Sequence, residues 1–151
     1  LATAKPVLGT NPAEKLLTNG IRGSLKYSDF EWCSWADNDS VSFTIDLLKP
    51  EMLNTLILGC ITNNGMAIHK PASVRVEVSD DNSKFREAVV QSFTSEEIFR
   101  EGNFIENLSL KLGGTQARYV RVTAKGPGVC PASHVRPGQT SRIFFDEVML
   151  E

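Results

Sequence analysis

Short stretches in which apolar and polar residues alternate with a period of two are the feature that most constrains this chain. Three of them are clear, at residues 41–47, 74–79 and 108–112. Side chains of a β-strand point alternately to opposite faces, so this pattern indicates strands with one face on a core and the other toward water. Turn-forming residues at 80–83 and 113–114 follow two of them. We therefore predict an all-β fold with antiparallel strands.

Further strands are predicted between these stretches. The segment 53–61 is apolar at most positions, which is typical of a strand buried on both faces. About eight short strands separated by turns are typical of an antiparallel sandwich or barrel. Residues 94–101 fit neither pattern, and we interpret them as either a helical turn or a loop. The other predicted strands cover residues 85–93, 104–112, 119–123, 143–145 and 148–150.

The length of 151 residues corresponds to one domain. Hydrophobic residues make up 41% and charged residues 23% of the chain, which excludes wholesale disorder. The formal net charge is −2, so the chain lacks the excess of basic residues that is typical of nucleic-acid binding. No apolar stretch approaches the ~18 residues of a membrane span. We expect a linker at residues 1–10 and the domain at 11–151. Asn11 and Pro12 fit the first positions of a short helix at 11–17.

The cysteines Cys33, Cys60 and Cys130 are too few, and odd in number, for a disulfide scaffold. One bridge with a free thiol and three free thiols both stay open, and we expect Cys60 to lie in the core. The first residues show no apolar run typical of a secretory signal. Because the sequence also lacks an initiating Met, we expect an excised fragment from which targeting information is missing.

Two long irregular segments interrupt the β pattern. Residues 21–40 carry Trp32 and Trp35 among Asp, Ser and Asn, and residues 125–142 are rich in Gly and Pro. Structureless loops longer than about 12–15 residues are uncommon and often functional. Loops of a sandwich gather at its ends, so we predict a binding surface where these two segments meet the turn at residues 62–70.

Residues 17–24 read Leu-Thr-Asn-Gly-Ile-Arg-Gly-Ser, a Trp-Cys-Ser-Trp segment follows at 32–35, and the strand at 41–47 ends in Asp-Leu. In this order the motifs resemble the opening of the coagulation factor 5/8 type C, or discoidin-like, domain. The resemblance covers roughly residues 11–151. Residues 71–81 resemble the family's central segment, and residues 117–122 and 145–148 resemble its last strands.

A narrower resemblance involves residues 128–134, Gly-Val-Cys-Pro-Ala-Ser-His, together with the 17–23 segment. These resemble the domain appended to the C-terminus of chitobiase-type β-N-acetylhexosaminidases, common in Bacteroides-like bacteria. The family implies a galactose-binding-domain-like jelly-roll sandwich with about eight strands. It also implies glycan binding and, in many members, a structural calcium ion.

The family's calcium site joins its first turn to a Glu near its last strand. Asn19 stands where the family has Asp, which removes a negative charge, and Arg22 adds a positive charge nearby. Calcium takes about six to eight oxygen ligands, so the alternative is a hydrogen-bonded clasp between the two ends of the domain. The positions that the resemblance assigns to calcium are Leu17, Asn19, Arg22, Ser24 and Glu147.

Aromatic side chains are the first candidates for contacts with a glycan. An indole stacks on the C–H face of a sugar ring while polar neighbours bind the hydroxyl groups. Trp32 and Trp35 lie in a polar segment, which makes each a candidate platform. The alternative for both is packing at the rim of the sandwich, and it is favoured for Trp35.

Polar side chains of the other two loops are the remaining candidates. Asn63, Asn64 and His69 offer donors and acceptors for hydroxyl groups, although Asn-Asn-Gly is also a good turn and His69 also suits an ordinary loop position. His134 and Arg136 are candidates either as ligand contacts or as groups that stabilise their loop.

Catalytic and zinc chemistry are not indicated. A structural zinc usually takes four nitrogen or sulfur ligands, and the chain has three Cys and two His spread along its length. Cys130 and His134 lack the oxyanion-binding motif that a Cys nucleophile needs. The acidic pairs at 80–81 and 96–97 lie in apparent turns and do not resemble a glycosidase pair.

These patterns predict a non-catalytic carbohydrate-binding accessory module of a larger glycoside hydrolase, of the β-N-acetylhexosaminidase or chitobiase kind. The expected partners are a glycan containing N-acetylhexosamine or galactose and the catalytic domain of the parent chain. We expect a monomer that is periplasmic, displayed on the cell surface or secreted by a bacterium. The alternative is a structural module that packs on the catalytic domain without binding sugar.

Overall fold

The computed structural model describes residues 16–35 and 40–151. The predicted linker 1–10 lies outside them, as does the predicted helix 11–17 except for Leu16 and Leu17, which are buried. Within the described residues the chain forms six strands, and every pair of neighbouring strands is antiparallel. They are β1 (Cys33–Trp35), β2 (Ser40–Asn63), β3 (Ser73–Ser79), β4 (Arg86–Ser92), β5 (Asn103–Lys125) and β6 (Ile143–Leu150).

The two longest strands, β2 and β5, pair along their whole length as one ribbon. Ser40 lies opposite Lys125 at one end and Asn63 opposite Asn103 at the other. The register shifts midway, where Leu48 has a positive φ of 69°. Bulges of this kind bend and twist a strand, so the two halves of the ribbon belong to different layers.

Each half of the ribbon recruits its own neighbours. The end of β5 pairs with β3, and β4 lies outside β3; the end of β2 pairs with β6, and β1 lies outside β6. The resulting strand order is β1-β6-β2-β5-β3-β4. One core lies between the two layers and takes side chains from all the long strands. The architecture is the predicted all-β jelly-roll sandwich.

Within the described residues, the eight predicted stretches fall in five of the six strands, so the predicted count of about eight is higher than the number found there. Residues 41–47 and 53–61 both belong to β2, residues 104–112 and 119–123 to β5, and residues 143–145 and 148–150 to β6. β1 lies in a segment that was predicted to be irregular. Where two stretches join within β2, residues 47–50 have no partner in β5 and the register shifts.

The alternation that predicted strands corresponds to burial in the structure. Val74, Val76 and Val78 of β3 are fully buried, whereas Glu77 on the opposite face accepts a hydrogen bond from Arg121 at 2.8 Å. Each fully buried aliphatic side chain contributes about 1.5–3 kcal/mol relative to an exposed one. All three cysteines are free and buried, and burial raises the pKa of Cys33 to about 12.

Candidate functional site

Trp32 is not the exposed sugar platform that its polar surroundings predicted. Its side chain is 1% exposed and packs in a small cluster with Ile61, Ile68 and Phe144. Its Nε1 donates a hydrogen bond to the Ser24 carbonyl at 2.8 Å, which satisfies the polar atom of the indole. A ring with no exposed face cannot stack on a sugar, so the assignment of Trp32 to a glycan was wrong.

Trp35 is buried to the same extent, in the main core. It lies in β1 opposite Ile143, with its ring centroid 5.7 Å from that of Phe145. The alternative interpretation, packing within the sandwich, therefore describes Trp35, and its assignment as a ligand contact was wrong.

The turn at residues 62–70 and the long loop 126–142 do meet. The His69 amide donates to the Arg142 carbonyl at 3.0 Å, and the Arg142 amide donates to the Ala67 carbonyl at 2.9 Å. Arg136 adds a side-chain bond from its Nε to the Gly65 carbonyl. Arg136 is exposed and braces the two segments against each other, which agrees with its loop-stabilising alternative.

The two histidines form a pair beneath this junction. Their Nε2 atoms are 2.9 Å apart, His69 is fully buried and His134 is 9% exposed. His134 Nδ1 accepts a hydrogen bond from the Arg136 amide at 2.9 Å, so the proton of that ring is on Nε2 and is donated to His69. Burial, together with the neighbouring His134, lowers the pKa of His69 to about 4.

His69 is therefore a buried partner of His134 and not a ligand contact, because its ring has no exposed surface. Asn63 is also occupied by the fold. Its side-chain oxygen accepts a hydrogen bond from the Met66 amide at 3.2 Å and caps the short 3₁₀ turn Asn64–Met66. The predictions that His69 and Asn63 bind a glycan directly find no support in this arrangement.

A cleft of about 360 Å³ opens above the histidine pair. Two of the predicted residues, Asn64 and His134, line it, and Asn64 Oδ1 has no hydrogen-bond partner. Pro131 and Ser133 belong to the long loop already assigned to the binding surface, whereas the lining residues at 95–101 come from a segment that was not assigned to it. The full lining is Asn64, Ser95, Glu96, Phe99, Arg100, Glu101, Pro131, Ser133 and His134.

One wall of the cleft is the segment 94–101, which forms the short helix α1 (Ser95–Ile98). Thr94 and Glu97 form a reciprocal capping box: the Glu97 amide donates to Thr94 Oγ1, and the Thr94 amide donates to Glu97 Oε2. Ile98 is buried and anchors the turn. The Thr-x-x-Glu spacing is a known start signal for a helix and was the clue that could have identified this wall.

Phe99 follows α1 and is the aromatic residue of the cleft. Its ring lies edge-to-face with both histidines, with centroids 5.1 Å from His69 and 6.2 Å from His134. It is half-buried, so one part of the ring rests on the histidine pair while the rest faces the cleft. The site thus combines one apolar ring with an amide, hydroxyl groups, carboxylates and a guanidinium.

Comparison with known protein families identifies the fold directly. The profile of the F5/8 type C domain matches residues 2–136. The chain belongs to this family. Among curated proteins, none matches the sequence of this F5/8 type C domain.

Solved structures share the fold at low sequence identity. CpGH89CBM32-5 from Clostridium perfringens, solved in complex with GalNAc-β-1,3-galactose, has a TM-score of 0.63 and 15% identity, covering 99% of this chain and 91% of its own. The C-terminal domain of a chitobiase from Bacteroides fragilis has a TM-score of 0.60 and 18% identity, covering 100% and 89%. The CBM32 of AlyQ, solved with 4,5-unsaturated mannuronic acid, has a TM-score of 0.54 and 20% identity, covering 88% and 83%.

The two ends of this F5/8 type C domain are joined by a set of hydrogen bonds that we call the clasp. The Val148 amide donates to the Leu17 carbonyl at 2.8 Å, and the Gly20 amide donates to Glu147 Oε2 at 2.9 Å. Arg22 Nε donates to Asp146 Oδ2 at 2.8 Å, and the side chain of Asp146 is fully buried.

The residues predicted to bind calcium lie at the clasp, but their oxygens do not form a cage for the ion. Asn19 Oδ1 accepts the Ile21 amide, the Ser24 carbonyl accepts Trp32, and the Leu17 carbonyl accepts Val148. The guanidinium of Arg22 occupies the space beside the Asp146 carboxylate, where the electrostatic attraction for a metal cation would be strongest. Burial raises the pKa of Glu147, and the nearby Asp146 charge adds to the shift. These oxygen atoms do not fit calcium well. Calcium binding therefore stays a prediction that comes from the family resemblance.

No helix within residues 16–35 and 40–151 is both long and apolar enough to cross a membrane.

Proposed function

We propose that this domain is a non-catalytic carbohydrate-binding module and that the cleft beside α1 is its glycan site. The observation that carries the proposal is the placement of Phe99 in that cleft among polar groups. A sugar ring offers an apolar C–H face to an aromatic ring and hydroxyl groups to polar neighbours. On the side of the 126–142 loop, the exposed Ser133 offers a hydroxyl group for a directional bond, whereas both ring nitrogens of His134 are already hydrogen-bonded.

The opposite wall supplies charged groups. Glu96, Arg100 and Glu101 are exposed and line the cleft around α1. Carboxylates accept two hydroxyl donors each and a guanidinium donates in a fixed fork, so this wall suits a hydroxyl-rich ligand. An open cleft with one half-buried aromatic ring supports weak binding, with Kd between about 1 mM and tens of μM.

We propose further that the ligand contains N-acetylhexosamine or galactose and that the domain serves a larger glycoside hydrolase outside the cytoplasm. The fold shared with CpGH89CBM32-5, itself solved with GalNAc-β-1,3-galactose, supports this choice. The cleft is lined by two exposed carboxylates, Glu96 and Glu101, which under this proposal bind hydroxyl groups and do not act as an acid–base pair. Hydrolysis of a chromogenic N-acetylglucosaminide by the purified chain, abolished by Glu96→Gln, would contradict the non-catalytic assignment.

The experiment that tests the proposal is a glycan array on the isolated domain, followed by calorimetric titration of the strongest ligands. Phe99→Ala should weaken binding of the strongest ligand by about 1–3 kcal/mol. Phe30→Ala is the matched control, because Phe30 is 71% exposed and lies outside the cleft lining. A ligand that binds both variants equally well, or an array with no ligand at all, removes the cleft as a glycan site.

One observation favours the structural alternative. Three apolar side chains close together in sequence are exposed, namely Ile21 at 52%, Leu25 at 53% and Phe30 at 71%. Exposed apolar residues of this size are typical of surfaces that contact another protein. Under this alternative Phe30→Ala weakens packing on the parent catalytic domain, and Phe99→Ala has no effect on it.

A further inference from the structure

We propose that His69, Cys130 and His134 bind one zinc ion beneath the cleft. The inference does not depend on glycan binding. The three side chains each present one ligand atom, and these atoms all lie within 4.8 Å of one another. They come from two separate parts of the chain, which the backbone bonds between Ala67 and Arg142 and between His69 and Arg142 hold together.

The spacing of the ligand atoms suits a zinc ion. Zinc–nitrogen distances of about 2.0–2.1 Å and zinc–sulfur distances of about 2.3 Å in a tetrahedron place the ligand atoms about 3.3–3.6 Å apart. The two Nε2 atoms are 2.9 Å apart without an ion. The two nitrogen atoms need to separate by only a few tenths of an ångström. The Cys130 sulfur, which lies within 4.8 Å of both, needs to move closer to them.

The chemistry of the donors selects the ion. Zinc binding displaces the proton of the buried Cys130 thiol, whose pKa is raised by burial, to solvent. The resulting thiolate and two imidazole nitrogens form a borderline-to-soft set that favours zinc over calcium or magnesium, which prefer oxygen. Within the described residues, this is the one cluster of three His, Cys, Asp or Glu side chains with metal-ligand spacing. Three protein ligands leave a fourth position for water, as in other open zinc sites.

Burial separates this cluster from a chance surface grouping. His69 is fully buried, Cys130 is 2% exposed and His134 is 9% exposed. His69 Nδ1 makes no hydrogen bond within ordinary distance and angle limits, although the Ile98 backbone lies beside it. With an ion on Nε2, the ring proton is on Nδ1, where the Ile98 carbonyl is the acceptor that can orient the ring.

Binding has one cost that can be observed. The present hydrogen bond from the Arg136 amide requires an unprotonated Nδ1 on His134. When Nε2 of His134 binds the ion, the proton of that ring moves to Nδ1. The Arg136 amide then loses its hydrogen bond to Nδ1. The ion therefore replaces two hydrogen bonds, the one from the Arg136 amide and the one between the two histidines, with three bonds that tie the 62–70 turn to the 126–142 loop.

The test uses the purified chain after treatment with a chelator and removal of the chelate. Added Co²⁺ should bind at one equivalent with a thiolate-to-cobalt charge-transfer band and the intense visible bands of a tetrahedral site. One equivalent of Zn²⁺ should displace it and raise the Tm. A folded chain that shows no such bands overturns the proposal.

Cys130→Ala should lose the charge-transfer band, whereas Cys33→Ala, which removes another buried thiol, should keep it. His69→Gln should weaken zinc binding by more than about 100-fold, beyond the effect of losing an outer-shell partner. A band that survives in Cys130→Ala, or disappears only in Cys33→Ala, contradicts the assignment of the ligands.

A measurement on the unmodified chain avoids dependence on the folding of the variants. In ¹⁵N NMR spectra, Zn²⁺ should shift the ring nitrogens of His69 and His134 and the backbone amide of Arg136. Ca²⁺ at the same concentration should shift none of them. Zinc-induced shifts confined to backbone amides elsewhere on the surface would show binding at another place and reject this site.

Discussion

Trp32 and Phe99 are two aromatic residues outside the long strands, and both lie near the turn at 67–69. Trp32 packs with Ile68 and is 1% exposed. Phe99 contacts His69 from the other side and keeps part of its ring in the cleft. Their difference arises from what lies against each ring. Gly23 lets the chain pass directly over the indole of Trp32, where a Cβ would collide. Phe99 instead lies against the rings of His69 and His134.

This comparison shows that the role of a loop aromatic is set by the backbone that covers it. Trp32 has a covering segment whose carbonyl, that of Ser24, pairs with its only polar atom. Phe99 has no polar atom to satisfy and lies at the end of a four-residue helix that is too short to cover it. Four predictions test whether the two rings divide stability and binding in this way.

The largest effect should come from Trp32→Ala. Removing a fully buried indole leaves a cavity in the cluster with Ile61 and Phe144, at a cost of about 3–5 kcal/mol in the free energy of unfolding. Urea denaturation measures it. Trp32→Phe retains most of the apolar area but not the bond to Ser24, and should cost clearly less. A Trp32→Ala domain of normal stability that has lost glycan binding would reverse the roles of the two rings.

The second effect is a loss of stability in acid caused by His69, whose ring lies against Phe99. The pKa of His69 is about 4 in the folded state against 6.5 ordinarily, so between these values the unfolded chain binds more protons. Stability is therefore retained above pH 6.5 and falls as the pH drops toward 4, by about 3 kcal/mol in total. Urea unfolding of the metal-free chain at several pH values measures this.

His69→Gln is the control for the acid effect, because it removes the titrating ring and leaves the carboxylates in place. The difference in unfolding free energy between pH 7 and pH 4 should shrink in this variant. An unchanged difference would mean that other groups cause the acid sensitivity.

The third effect falls on binding instead of stability. Phe99→Ala should weaken the strongest glycan found by about 1–3 kcal/mol, the range of an aromatic contact at the centre of a site. The free energy of unfolding should fall by only about 0.5–1.5 kcal/mol, from loss of the edge contacts with the histidines. Calorimetry and urea denaturation on the same preparation separate the two quantities.

The smallest effect should come from Thr94→Ala, which removes one half of the capping box. Loss of an N-cap side chain costs about 1 kcal/mol of stability. Thr94→Ser keeps the hydroxyl and should restore it. Faster hydrogen exchange confined to the amides of residues 95–98 in Thr94→Ala would show that the cap holds this wall of the cleft.

The strands could be predicted because burial on one face leaves a local signature. Val74, Val76 and Val78 alternate in the sequence and are buried in the core. The continuity of β2 through Leu48 could not be predicted, since a bulge depends on the partner strand as well as on the residues within it. The eight-strand count failed at such positions.

The site was less predictable because its members are distant in sequence. Asn64 and His134 were identified from their residue types, whereas Phe99 and its helical turn showed no periodicity. The grouping of His69 with Cys130 depends on backbone pairing between residues 67–69 and residue 142, which no local pattern encodes. The burial of Trp32 likewise depends on the segment 23–24 folding over it.

The clasp has a consequence for how the domain carries mechanical load. Leu17 bonds to Val148 and Gly20 bonds to Glu147, so the chain enters and leaves the sandwich at the same place. Tension on the chain near Leu17 acts first on the clasp and on the Arg22–Asp146 ion pair. Tension at Glu151 acts at the same time on its bonds to Thr55 and on the pairing of Leu150 with Leu56. The clasp and the β2–β6 ladder therefore share a load applied between the two ends, and neither includes a residue that lines the cleft.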